Sequence, residues 1–103
     1  MASGTRIYTG SYIGTGAALT IDSIPFQAAY IRCFETDDYA TGTAVNQEWV
    51  KADNMPTDMF FDITGALIIH AGQGVTITGD GFNLGTAAEV NTNAKRYLFV
   101  AMG

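Results

Sequence analysis

The sequence predicts an all-β fold: a small antiparallel β-sandwich or barrel, jelly-roll-like, of about eight short strands. Three observations predict it. Glycine and proline interrupt the chain so often that few intervals are long enough for a helix. The intervals between them are rich in Ile, Val, Thr, Tyr and Phe, which suit a pleated surface. Several of those intervals alternate apolar and polar residues, as a half-buried strand does.

The expected strands are TRIYTGSY (5–12), AALTI (17–21), AAYIRCFE (28–35), AVNQEWVKA (44–52), DMFFDI (58–63), ALIIHA (66–71) and VTIT (75–78), then FNLG (82–85) with KRYLFVA (95–101), a pair that counts as one strand or two. In the third, Ala29, Ile31 and Cys33 share one face and Tyr30, Arg32 and Phe34 the other. VTITGDGFNLGT (75–86) reads as a hairpin, with Asp80-Gly81 as turn residues that tolerate positive φ. Segment 95–101 is apolar on both faces, with Leu98 and Val100 opposing Tyr97 and Phe99, so it is expected to be central or covered on both sides. AAEVNTN (87–93) is the one candidate helical turn. A loop there, with Asn91 and Asn93 bonding their own backbone, is the alternative.

The 103 residues fit one domain, 1–103, with enough chain for a single core. Charged residues make up 15%, against about 25% in an average soluble domain. A surface so poor in charge suits a chain that hides part of itself in an assembly. Net charge is -5, and of the five basic residues only Lys95 and Arg96 are adjacent. Clustered cations are what displace counterions, so nucleic acid and anionic membranes are not expected as partners. Cys33 is the single cysteine, which rules out an internal disulfide and reads as a buried, inert thiol. MASGTRIYTG lacks the charged start and apolar run of a signal peptide, so synthesis in the cytoplasm is expected.

Catalytic constellations are scarce. His70 is the only histidine, and no serine sits in a Gly-x-Ser-x-Gly turn. Gly79 and Gly81 match a phosphate-loop pattern only in part, because no Lys-Ser/Thr pair completes it. An enzyme is therefore not expected, and neither is a cofactor. Glu35, Asp37 and Asp38 are the tightest carboxylate group, read as a solvated loop with calcium as the functional alternative, although the spacing is not that of an EF-hand. Tyr8, Tyr12, Trp49 and Tyr97 are the interface candidates. Trp49, flanked on its own face by Gln47 and Lys51, is the best candidate for a partly exposed anchor.

Four segments stand together in order: YTGSYIGTGAALTI, PFQAAYIRCFET, NQEWVKADNM and the closing GVTITGDGFNLGTAAEVNTNAKRYLFVAMG. Segment by segment they resemble small β-rich virion structural proteins of tailed bacteriophages. The resemblance covers nearly the whole chain and is a pattern of strands and turns. It implies a capsid decoration, or cement, protein on the outside of the head. Such a protein would be a small oligomer bound to the major capsid protein, a trimer in preference to a dimer. An N-terminal arm over residues 1–8 would then order on docking. A tail-fibre or spike module that binds a receptor is the alternative.

Overall fold

The computed structural model of the protein describes residues 6–36, 48–62 and 73–103, together with the backbone of 67–69. The strands are β1 (Ile7–Ile13), β2 (Leu19–Ile21), β3 (Tyr30–Glu35), β4 (Glu48–Ala52), β5 (Met59–Asp62), β6 (Leu67–Ile69), β7 (Val75–Thr78), β8 (Gly81–Leu84) and β9 (Arg96–Met102). A single helical turn, α1 (Ala88–Asn91), precedes β9. The strands form two antiparallel sheets, one of six in the order β1-β9-β3-β4-β5-β6 and one of three in the order β2-β8-β7.

Alternation explains the core. Ile31, Cys33 and Glu35 of β3, Trp49 and Lys51 of β4, and Tyr97, Phe99 and Ala101 of β9 all point inward. Phe82 and Leu84 of β8 and Val75 of β7 meet them from the small sheet. The centre is aromatic. The Tyr12 and Tyr97 rings stack at 4.9 Å, and Phe82 stands edge-on to both Trp49 and Phe99. Such pairs add about 0.5–1.5 kcal/mol each beyond the area they bury.

The hydroxyls of this aromatic layer hold α1. Tyr12 donates to Val90 O at 2.8 Å, and Tyr97 accepts from Thr92 N–H at 3.0 Å. Asn91, fully buried, does the rest. Its Oδ1 accepts from Thr15 N–H at 2.8 Å, and its Nδ2 donates to Ala17 O and Gly85 O at 2.6 and 2.9 Å. One short helix is thereby tied to the β1–β2 loop and to the end of β8.

Two expectations are corrected, and two that left alternatives are decided. Residues 6–8 are not part of an arm, because Ile7 and Tyr8 belong to β1 and Arg6 exchanges backbone bonds with Gly103. Residues 1–5 lie outside the described residues. The hairpin turn is Gly79-Asp80, and Gly81 already pairs with Thr78. Gly81 is required for another reason: a Cβ there would lie 1.7 Å from Ile21 O, where β8 runs against β2. Positive φ occurs instead at Gly16, Asp58 and Ala94. FNLG and KRYLFVA are separate strands, in different sheets. Finally β9 is central, between β1 and β3, yet its outer face is open, with Leu98 39% exposed.

Candidate functional site

The register of the large sheet lines up its outward residues in rows. One row runs Ile7, Met102, Tyr30, Ala52, and the next Thr9, Val100, Arg32, Val50, Phe61. A third runs Ser11, Leu98, Phe34, Glu48, and Ile13 stands beside Arg96 at the end. Exposure is high for apolar groups here: 60% for Ile7, 46% for Ile13, and 39% for both Phe61 and Leu98. Thr9, Ser11, Phe34, Leu98 and Val100 line a shallow depression of about 400 Å³.

Among the described residues the charges on this face are Arg32, Glu48 and Arg96. Arg32 and Glu48 form an ion pair in the middle of it. The acidic residues Asp22, Asp53, Asp80 and Glu89 lie elsewhere, in loops and on α1. An acidic chain thus keeps one broad face apolar and nearly neutral. Contiguous exposed apolar area of this kind marks an interaction surface.

The predicted interface residues fare differently. Trp49 is a correction: it is fully buried and packs on Phe82. Its polar neighbour Lys51 faces inward with it, and Nζ donates to Pro56 O and Met59 O at 2.5 and 2.7 Å. Burial lowers the Lys51 pKa from its ordinary value, with Asp58 opposing. The lysine gathers loop 53–58 over the core edge. Tyr12 and Tyr97 are also corrections, being core residues. Tyr8 is half-buried against Phe99, with ring centroids 6.2 Å apart. The surface is built instead from Ile7, Ile13, Phe34, Phe61, Leu98 and Val100. The two-faced alternation of β9 was the signal for it in the sequence.

Glu35 is corrected too. It is not in a solvated loop but ends β3, buried, with Oε2 4.0 Å from Lys95 Nζ. Asp37 and Asp38, the other calcium candidates, lie outside the described residues, as does His70. Among the described residues no three His, Cys, Asp or Glu gather as metal ligands. Cys33 is buried as expected, 3.5 Å from the Tyr12 hydroxyl. Burial pushes its thiol up to about 12 and raises the Tyr12 phenol well above its ordinary value. Neither group is reactive at neutral pH.

A second depression of about 350 Å³ opens on the small sheet, lined by Leu19, Thr20, Asp58, Thr76 and Asn83. Thr20 Oγ1 donates to Asn83 Oδ1 at 3.0 Å, so these groups largely satisfy one another. No protein-family model, curated protein or solved structure matches the chain.

Proposed function

We propose that the protein is a capsid decoration protein of a tailed bacteriophage. It binds the outside of the head and bridges neighbouring major capsid protein subunits. The observation that carries the docking part of this reading is the open apolar face of the large sheet. The virion setting is supported by the resemblance of the strand and turn segments to small phage structural proteins.

The mechanism is mechanical. A sheet that is rigid before binding loses little conformational entropy on docking. Leu98, Phe61, Phe34 and Val100 supply apolar contact, and the Arg32–Glu48 pair at the centre fixes orientation. Many copies on one lattice act together, so modest affinity per copy becomes shell stability. The alternative, a receptor-binding tail module, would need an exposed aromatic and carboxylate surface, and the buried Trp49 does not supply its aromatic anchor.

The test is to mix purified protein with matching heads that lack it and to quantify the pellet. Saturable binding supports the proposal. No binding to heads, with retention on host cells instead, moves the protein to the receptor-binding part of the tail.

A further inference from the structure

Among the described residues the strand β1 is an edge of the six-stranded sheet, and its seven residues pair with β9 alone. Bond directions along it are fixed by its two ends. Arg6 and Gly103 exchange backbone bonds of 3.1 and 3.0 Å, and Gly14 N donates to Lys95 O at 2.8 Å. Even-numbered residues therefore turn their N–H and C=O toward β9. Ile7, Thr9, Ser11 and Ile13 turn theirs outward, to the open edge. The side chains of these four are exposed as well.

Natural proteins protect such edges with charge, proline, a bulge or brevity. β1 has none of these. IYTGSYI carries no charge and no proline, and its register with β9 is unbroken over seven pairs. The other edge strands are short: three residues in β2 and β6 and four in β7.

The same seven residues read almost identically in both directions: Ile-Tyr-Thr, Gly10, Ser-Tyr-Ile. An antiparallel pair of this strand about a two-fold axis through Gly10 matches every position. Ile7 meets Ile13 of the second copy, Tyr8 meets Tyr12, Thr9 meets Ser11, and Gly10 meets Gly10. Thr9–Ser11 and Ile7–Ile13 fall at the outward-bonding positions, so each such pair exchanges both backbone bonds, about eight in all. Ile7 and Ile13, the two most exposed large apolar residues, cover each other. No like charges are brought opposite in a chain of net charge -5, because Arg6 falls opposite Gly14.

We infer that β1 is a self-pairing edge: two copies of this chain join antiparallel through residues 7–13, with Gly10 on the two-fold axis. The two large sheets become one continuous sheet whose outer faces lie on the same side. The inference stands whether or not that face docks on a capsid. It favours a two-fold pair over the trimer that the phage resemblance suggests.

Sedimentation equilibrium on the whole chain tests it, with four species. Wild type is expected at about 22 kDa, twice the 11.0 kDa of one chain, in concentrated solution. Thr9→Lys/Ser11→Lys places lysine against lysine and is expected at 11.0 kDa, with an unchanged circular dichroism spectrum. Thr9→Glu/Ser11→Glu is expected to behave alike, and mixing the two variants should restore the double mass. Leu98→Asp/Phe61→Asp, altered on the sheet face, is expected to remain paired. A wild-type mass of one or three chains at all concentrations would overturn the inference. So would edge variants that stay paired, face variants that separate, or an oppositely charged mixture that stays single.

Discussion

Replacing Asn91 with alanine removes three side-chain hydrogen bonds from a residue that is 1% exposed. Each contributes about 1 kcal/mol net, and a buried group left without a partner costs about 1–3 kcal/mol. The carbonyl of Gly85 and the amide of Thr15 would lose their side-chain partner, while Ala17 O keeps the Thr15 hydroxyl as a donor at 2.8 Å, so the expected loss is about 2–4 kcal/mol. For 103 residues the whole stability is about 5–15 kcal/mol, so this is a large share of it. Urea unfolding followed by circular dichroism and by Trp49 fluorescence gives the difference by linear extrapolation. The melting temperature should fall by about 8–32 °C, at about 4–8 °C per kcal/mol for a domain near this size. Asn91→Asp keeps the acceptor for Thr15 but sets a buried carboxylate against two carbonyls, and should lose at least as much at neutral pH. A loss below about 1 kcal/mol for Asn91→Ala would refute the claim that this side chain ties α1 to the β1–β2 loop.

Trp49→Ala should cost about 3–5 kcal/mol in the same assay, the range for emptying a large aromatic from a core. A near-neutral result would return Trp49 to the surface. Lys51→Met should leave the Met59 carbonyl without its ammonium donor, while Pro56 O keeps the Met59 N–H at 3.1 Å, costing about 1–2 kcal/mol. Limited proteolysis should then cut within 53–58 faster than in the wild type. The Cys33 thiol is raised from 9.0 to about 12 in the folded chain. Its contribution is therefore present in full below pH 9 and is lost as pH climbs from 9 toward 12, at about 1.4 kcal/mol per pH unit for one proton. Cys33→Ala should flatten urea-measured stability between pH 9 and 10, before the tyrosines enter at their ordinary 10.0. An unchanged slope would contradict the buried thiol.

Much of the fold was legible because alternation is local. The seven-residue rhythm of β9 and the inward set of β3 announce themselves within one segment, and so does the helical turn at 88–91. The misses are all non-local. Gly81 looks like a turn residue because only tertiary structure shows Ile21 O lying where its Cβ would be. Trp49 looks exposed because Lys51 shares its face, and a lysine seldom goes inside. Here loop carbonyls five and eight residues further on accept its ammonium. Glu35 looks solvated until Lys95, sixty residues away in sequence, is placed beside it. In the loop alternative Asn91 bonds its own neighbourhood, yet two of its three partners lie 74 and 76 residues away. The candidate face was half legible. Leu98 and Val100 showed a strand apolar on both sides, but whether a second layer covers them is a matter of topology.

The central claim is that the apolar face of the large sheet docks on a capsid shell. The most direct measurement is the occupancy of decoration-free heads by wild type and by Phe61→Asp/Leu98→Asp in parallel titrations. Burying the 39% of each side chain that is exposed is expected to contribute about 1–2 kcal/mol per residue. The account predicts saturable wild-type binding and, for the variant, at least a tenfold weaker affinity at a temperature where circular dichroism shows both proteins fully folded. Equal occupancy by both proteins, or no binding by either, would contradict it.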